Sequence, residues 1–307
     1  MAASPKVSIC IPTYNNVDEV ERLLQSIDGQ EYKDYEVNIS DDSTNDEIEN
    51  LIRKYEKVNY IHNKKPMGHI FNWNAAIRMA KGEYIKIMFS DDWFTDAQSL
   101  GNFAALLDAD EKAMLAFSGS RQVMLDGQNI DAMQHVAKEH QRSSYDRCAS
   151  TEYIEGLRKD YRRLFLGNQI GAPSAVIYRR GSSAALFDEK SNWASDMFLY
   201  FDLLQKSNAF AYTKEPLVSI GVHEHQYTES FSDKDMRIYN DYRYLYTKYH
   251  LQECPECREY FAEKFLVKYH QGVKEAKALG IETSLYLKKW TAEVRASVQC
   301  FVRSRMK

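Results

Sequence analysis

The chain has 307 residues, of which 44% are hydrophobic, and this suits one large domain or a domain with an extension. Its 40 Lys and Arg residues against 44 Asp and Glu residues give a formal net charge of −4, which excludes the strongly basic character typical of nucleic-acid-binding proteins. The chain has no apolar run long enough for a spanning helix, no signal-peptide pattern at its start and only five scattered cysteines, so we expect a cytoplasmic protein.

The first 125 residues alternate apolar segments typical of buried strands with amphipathic segments typical of helices. Strands are predicted over residues 6–14, 35–42, 58–63, 84–92 and 113–125. Helices are predicted over residues 17–27, 45–55, 69–80 and 97–109. Repeated strand–helix units with apolar strands predict an α/β fold with a doubly wound, mostly parallel sheet.

The rest of the chain changes character twice. Residues 126–150 are polar and are predicted to form an irregular surface connection. A helix and two strands are then predicted over residues 151–167, 172–180 and 216–223. The remainder has mainly helical patterns and is rich in Tyr, Lys and Arg. We therefore expect one domain over residues 1–230 and a helical region over residues 231–307.

Polar side chains follow three of the predicted strands. The clusters are Thr13-Tyr14-Asn15, Asp41-Asp42-Ser43 and Ser90-Asp91-Asp92. Ligands of doubly wound sheets bind outside the carboxyl ends of the strands, so these clusters predict one shared cleft. The dinucleotide and P-loop glycine motifs are absent, which leaves a divalent metal held by carboxylates as the natural way to bind phosphate. The alternative for the Asp pair is a helix-capping role.

Two long segments resemble the inverting glycosyltransferases of family 2, which have the GT-A fold. The segments are "KVSICIPTYNNVDEVERLLQSIDGQEYKDYEVNISDDSTND" and "KKPMGHIFNWNAAIRMAKGEYIKIMFSDDWF". Each short motif is modest, but their order and spacing together are specific, closely over residues 6–125 and more loosely to about residue 230. The resemblance implies a GT-A (Rossmann-like) α/β fold, here with a C-terminal helical extension.

The resemblance also implies how the donor, a UDP-sugar, is held. The segment after the first strand corresponds to the uridine site, with residues Pro12, Thr13, Tyr14 and Asn15. Asp42 corresponds to the acceptor of the uracil imide hydrogen, and Gly68 and Asn74 fall near the nucleotide phosphates. Pro173, within the small residues of "GAPS", corresponds to a segment beside the donor sugar. A plain strand-terminal turn is the alternative for residues 12–15.

Metal binding is implied at Ser90-Asp91-Asp92, which falls on the D-x-D motif of the family with Ser in place of one Asp. We expect Asp92 to ligate Mn²⁺ or Mg²⁺ directly and Asp91 to bind a sugar or ribose hydroxyl. His223 holds the place of a family histidine that ligates metal or diphosphate in some members. His225 would share its face of the strand, and a structural histidine is the alternative.

Asp196 opens an apolar helix in "SNWASDMFLYFDLLQKS" and matches the catalytic base of the family. An inverting transfer is one in-line displacement, so it needs one carboxylate to take the proton of the acceptor hydroxyl. The alternative is a helix N-terminal charge that complements the helix dipole.

The segment from residue 285 has apolar residues at helical spacing and a basic polar face. It predicts either a helix on an anionic membrane surface or one packed on the domain or on a sister subunit of a homo-oligomer. Together these features predict a metal-dependent transferase that acts on a glycan or lipid-linked glycan acceptor, as in bacterial surface polysaccharide synthesis. The alternatives are a sugar nucleotidyltransferase and a non-catalytic nucleotide- or glycan-binding module.

Overall fold

A computed structural model describes most of the chain. The described residues are 4–125, 144–181, 184–224 and 226–305, without the side chains of 297 and 300–305. His225, most of the predicted connection at 126–150, and the side chains of the last basic residues lie outside the described part. The described chain forms two compact units, the first made mainly of residues 1–161, 168–191 and 195–230.

The first unit contains nine strands and six α-helices among its described residues. The strands are β1 Val7–Thr13, β2 Tyr35–Asp41, β3 Val58–His62, β4 Tyr84–Ile87, β5 Trp93–Phe94, β6 Leu115–Met124, β7 Ser144–Arg147, β8 Val176–Arg179 and β9 Phe210–Val222. The helices are α1 Val17–Asp28, α2 Glu47–Ile52, α3 His69–Arg78, α4 Ser99–Asp108, α5 Thr151–Lys159 and α6 Ser195–Lys206.

The strands form one sheet in the order β3-β2-β1-β4-β8-β6-β9-β5, with β7 beside β6. β3, β2, β1 and β4 are parallel neighbours, and β6 is parallel to β9. β8 runs antiparallel between β4 and β6. More strand residues are paired in parallel than in antiparallel orientation. The predicted α/β fold with a mostly parallel sheet is therefore confirmed.

Burial explains why the predicted strands and helices form. Every residue of β1 is buried, as expected for a strand covered on both faces. The apolar stripe of α1 packs on the sheet through Val20, Leu23, Leu24 and Ile27. The three strands that carry the polar clusters are neighbours, so their carboxyl ends lie side by side.

Three predicted elements differ from the structure. The strand predicted over 84–92 ends at Ile87, because the following backbone turns and the Asp92 N–H donates to the Phe89 carbonyl (3.1 Å). The helix predicted over 151–167 breaks at Asp160, whose backbone is extended. Within the connection predicted as irregular, Ser144–Arg147 forms β7, which pairs with β6.

The second unit is helical among its described residues and consists of 162–167, 192–194 and residues from 231 onward. Its helices are α7 Met236–Lys248, α8 Pro255–Phe261 followed by a π-helical turn Ala262–Val267, α9 Val273–Ala278 and α10 Thr283–Arg305. Its core is aromatic: the Tyr242 and Phe265 rings stack 4.1 Å apart. No described helix is both long and apolar enough to cross a bilayer.

Candidate active site at the carboxyl ends of the strands

The three polar clusters meet at one edge of the sheet. The Thr13 hydroxyl, at the end of β1, donates to Oδ1 of Asp41 at the end of β2 (3.0 Å). On the other side of β1, the Asn16 amide donates to the hydroxyl of Ser90, which follows β4. The strand order and these hydrogen bonds place all three clusters in one continuous surface.

The turn after β1 is held by hydrogen bonds that leave one aromatic ring exposed. Asn15 has a left-handed backbone (φ 50°), its N–H donates to the Ser43 hydroxyl (2.8 Å), and its Oδ1 accepts from the Thr44 N–H (2.9 Å). Pro12 and Thr13 are buried beneath the turn, whereas the Tyr14 side chain is 55% exposed. Tyr14 therefore offers a ring face to a ligand.

Asp41 is fully buried, and both of its oxygens bind the protein itself. Oδ1 accepts from the Thr13 hydroxyl and from the Ser43 N–H (2.8 Å), and Oδ2 accepts from the Tyr60 hydroxyl (2.7 Å). Asp41 fixes the turn after β2 and the neighbouring strands.

Asp42, also buried, fixes the turn that precedes α3. Its Oδ2 accepts the N–H groups of Met67 (2.9 Å) and Gly68 (3.0 Å), and its Oδ1 accepts from the Asn63 amide (2.8 Å). Gly68 has φ +89°, a conformation that side-chain-bearing residues rarely adopt. The Asp42 carboxylate thus ties the ends of β2 and β3 to the start of α3.

The two adjacent carboxylates after β4 have opposite environments. Asp92 is 1% exposed; its Oδ1 accepts the Gly221 N–H (3.3 Å), and it also hydrogen-bonds the Ser174 side chain. Burial raises the pKa of Asp92 well above its usual range. Gly221 is required here, because a Cβ at this position would clash with the Asp91 carbonyl. The Asp92 side chain therefore faces the interior of the first unit.

Asp91, by contrast, faces outward beside His223. Its Oδ2 lies 3.2 Å from Nε2 of His223, and the two side chains are 23% and 14% exposed. The hydrogen bond to the Asp91 carboxylate raises the pKa of His223. A carboxylate and an imidazole are both donors that Mn²⁺ accepts, so this pair fits a divalent metal better than Asp92 does.

A buried lysine stabilises the loop after β4. Lys86, in β4, is fully buried, and its ammonium group donates to the Ser174 carbonyl and lies 4.4 Å from the centre of the Phe103 ring. Burial lowers the pKa of Lys86 well below its usual range. The Ser174 hydroxyl in turn accepts the Phe89 N–H (3.0 Å). Sequence reasoning missed Lys86, although a lysine inside an apolar strand was a visible signal.

Asp196 lies in the first turn of α6 and is partly exposed. Its Oδ1 accepts the Met197 N–H (2.7 Å), and its Oδ2 accepts from the Asn168 amide (2.6 Å). The Asn168 Oδ1 accepts the Gly171 N–H (3.1 Å), so Asn168 joins Asp196 to the loop that ends at Ser174. Asn168 was not predicted, since nothing in the sequence links it to a residue 28 positions away.

Two further predicted ligand contacts, Asn74 and Pro173, are also buried. Asn74 is inaccessible to solvent, and its amide donates to the Phe187 carbonyl (3.0 Å) and accepts the Phe187 N–H (2.9 Å). Asn74 therefore holds the backbone of Phe187. Pro173 is buried in the short turn before β8.

A further group of metal-binding residue types lies between the start of α2 and the end of β3. One oxygen each of Asp46 and Glu49 and one nitrogen of His62 lie within 4.8 Å of one another. The His62 ring is also hydrogen-bonded to the Ser43 carbonyl (2.9 Å). Partly exposed acidic groups commonly cluster in this way without metal, so this group stands beside the Asp91–His223 pair only as a second candidate.

The sequence profile described as Glycosyl transferase family 2 matches residues 8–187, more than half of the chain. A Rickettsia typhi protein described as an uncharacterised glycosyltransferase is 26% identical over 228 residues, which cover 74% of this chain and 67% of that protein. The poly(ribitol-phosphate) β-N-acetylglucosaminyltransferase TarP of Staphylococcus aureus is 39% identical over 93 residues, which cover 28% of each chain. The match to TarP is thus confined to a minor part of that protein.

Two solved structures are similar in fold. The S. aureus TarS structure in complex with UDP-GlcNAc has a TM-score of 0.59 at 18% identity and covers 93% of this chain and 78% of that chain. The Pyrobaculum calidifontis mannosyltransferase PcManGT, in complex with GDP-Man and Mn²⁺, has a TM-score of 0.51 at 14% identity and covers 97% and 87%. At these identities the similarity establishes the GT-A fold alone.

Proposed function

The chain belongs to glycosyl transferase family 2, and we propose that it is an inverting enzyme that moves a sugar from a UDP-sugar to a hydroxyl of a glycan acceptor. The observation that carries this proposal is the partly exposed Asp91–His223 pair at the same sheet edge as the exposed Tyr14 ring. The base of a nucleotide needs an aromatic face, and its metal-bound diphosphate needs metal ligands close to that face.

The donor base is assigned to the turns after β1 and β2. Tyr14 provides a face on which uracil stacks. Each carboxylate oxygen accepts two hydrogen bonds, and Oδ1 of Asp42 is bonded to Asn63 among the described residues, so this oxygen has room for the uracil imide N–H. Titrations with UDP and GDP test this assignment, since guanine presents a different edge.

The diphosphate is assigned to the Asp91–His223 pair. These two residues would hold Mn²⁺ or Mg²⁺, which supplies positive charge opposite the diphosphate leaving group when it is bound. The Arg22 guanidinium donates to the Asp91 carbonyl (2.9 Å) and lies 4.3 Å from the centre of the Trp93 ring, so it fixes the backbone that presents Asp91. The complex of PcManGT with Mn²⁺ and GDP-Man supports a metal in this fold.

Asp196 is assigned as the general base. An inverting transfer forms the new glycosidic bond and breaks the bond to the diphosphate in one displacement, while one carboxylate takes the acceptor proton. The Asn168 amide, 2.6 Å from Oδ2, holds the Asp196 side chain in one orientation. The second carboxylate of a hydrolase pair is not needed, because no water is activated.

The acceptor is assigned by analogy to a bacterial surface glycan. One relative is named as acting on poly(ribitol-phosphate), and a Campylobacter jejuni relative, 31% identical over 93 residues, is named as a glucosyltransferase of an undecaprenol-linked glycan. We propose the same broad acceptor class here, a hydroxyl of a polysaccharide or lipid-linked glycan.

Calorimetric titration of UDP and GDP, with and without Mn²⁺, tests the proposal. We expect Mn²⁺-dependent binding of UDP and weaker binding of GDP. Equal binding of both nucleotides would overturn the uridine assignment but leave a transferase site. Failure to bind either nucleotide would favour a glycan-binding module on this fold.

A further inference from the structure

Helix α10 carries an apolar stripe that the rest of its unit leaves uncovered. Four of the large hydrophobic side chains that are exposed in the described structure lie on it: Leu287, Trp290, Val294 and Val298, between 41% and 56% exposed. At 3.6 residues per turn these four fall within an arc of about 80°. They therefore form one continuous apolar face, here called the α10 stripe.

The helix is anchored to its unit through a different face. The Tyr286 side chain is buried, and its hydroxyl donates to the Gln271 carbonyl (2.7 Å). Lys289 forms ion pairs with Glu259 (3.4 Å) and Glu263 (3.1 Å). These contacts hold the start of α10 while the α10 stripe faces solvent.

The charge around the α10 stripe indicates whether a second copy of the chain or an anionic surface covers it. Residues 285–307 contain six Lys or Arg and one Glu, a net charge of +5, although the whole chain carries −4, so the remaining residues carry −9. Lys288 and Arg295 are exposed and follow one edge of the stripe. A second copy would bring two such basic helices together, which like-charge repulsion opposes. An anionic surface attracts the same charges.

We infer that α10 binds an anionic lipid surface, with the α10 stripe in the acyl boundary and Lys288 and Arg295 at the lipid phosphates. An amphipathic helix with a basic polar face and a Trp in its apolar face has the composition that binds such surfaces. The lysine and arginine side chains are long enough for their charges to reach the headgroups while their stems stay on the apolar face. This surface is independent of the donor site and goes beyond the proposed transfer reaction.

Co-sedimentation of the full chain with vesicles tests the inference. We expect the protein to bind phosphatidylglycerol–phosphatidylcholine vesicles and not pure phosphatidylcholine vesicles, with binding weakened by salt. Val294→Asp, within the stripe, should lower binding about tenfold. Ala292→Asp is the matched control: it adds the same charge to an exposed position on another face and should lower binding no more than about twofold.

Three results would overturn the inference. The first is no binding of the wild-type chain to anionic vesicles, and the second is equal losses in Val294→Asp and Ala292→Asp. The third is self-association of the wild-type chain in lipid-free sedimentation velocity that only Val294→Asp abolishes, which would assign the stripe to a second copy. Circular dichroism and UDP titration of both variants establish that the fold and the donor site are intact.

Discussion

The turns after β1 and β2 differ from the loop after β4 in how their carboxylates are used. Asp41 and Asp42 are buried, and both oxygens of each accept hydrogen bonds from the protein itself. Asp91 keeps part of its surface and has His223 as a neighbour. The first region is a hydrogen-bonded frame in which we leave only Oδ1 of Asp42 for the donor base, whereas the second region keeps a partly exposed carboxylate.

Carboxylates of the same sequence pattern thus divide into supporting and ligand-facing groups. The pairs Asp41-Asp42 and Asp91-Asp92 look alike in sequence, yet three of the four are buried. Burial of an ionised group is unfavourable unless hydrogen bonds compensate, which explains the partners of Asp41 and Asp42 and the raised pKa of Asp92. Ligand-facing groups, among which we place Asp91 and Asp196, should affect activity, and supporting groups such as Asp41 should affect stability. Asp42, which holds the turn before α3 and is assigned to the donor base, should affect both.

The largest effect is expected at Asp196. Asp196→Asn keeps the shape of the side chain but removes the base, so sugar transfer should fall about 10²- to 10⁴-fold. UDP affinity and the unfolding midpoint should stay unchanged, because the site for the donor is intact. Asp202→Asn, the same change further along α6, is the control and should retain activity. Full activity of Asp196→Asn would show that Asp196 is not the general base.

Asp42 should contribute more to the free energy of unfolding than Asp91 does. Asp42→Ala leaves the N–H groups of Met67 and Gly68 and the Asn63 amide without their acceptor, so the free energy of unfolding should fall by about 1–3 kcal/mol. Asp91→Ala, at a partly exposed site, should change it by about 0.5 kcal/mol or less. Urea unfolding measures both, and equal losses would erase the distinction between the two regions.

A smaller effect is expected at Asn168, which we regard as a positioning residue. Asn168→Ala frees the Asp196 side chain, so kcat should fall about tenfold while KM for the donor stays unchanged. Asn168→Asp places a second negative charge beside Asp196 and should shift the pH–rate profile toward higher pH. An unshifted profile with reduced stability would mean that Asn168 only supports the loop.

The smallest effect is a pH dependence from His69, at the start of α3 beside the Gly68 turn. Burial lowers the pKa of His69, and its ring lies 5.1 Å from Trp73 and 4.3 Å from Tyr227. Below about pH 6.5 the unfolded chain binds a proton that the folded chain disfavours, so stability should fall as the pH falls. In His69→Phe, which keeps the ring contacts, the unfolding temperature should depend less on pH between 7 and 5, and an identical slope would contradict this account.

Much of the fold was predictable from the sequence because its signals are local. The alternating apolar and amphipathic segments predicted each strand and helix up to residue 125, apart from the two-residue β5, and placed three polar clusters at neighbouring strand ends. The antiparallel insertion of β8 between β4 and β6 was not predictable, since strand order depends on long-range packing. The break of the predicted helix at Asp160 was also missed, because a helical sequence pattern continues across it.

It was less predictable which residues of the site face the ligand and which support the loops. Sequence adjacency placed Asp91 and Asp92 together, but which of them faces outward depends on β9, where Gly221 and His223 pack against the loop from 129 and 132 positions away. Lys86 and Asn168 act through residues far along the chain. Such contacts leave no local pattern, so only the folded structure reveals them.

The distinction between Asp91 and Asp92 is tested most directly by titrating UDP with and without Mn²⁺ into Asp91→Asn and Asp92→Asn. We predict that Asp91→Asn loses the Mn²⁺-dependent gain in UDP affinity. Asp92→Asn should keep it, because this side chain is buried and Asn retains an oxygen that can accept the Gly221 N–H. Loss of the Mn²⁺ effect in Asp92→Asn with its retention in Asp91→Asn would contradict the account and restore Asp92 as the metal ligand.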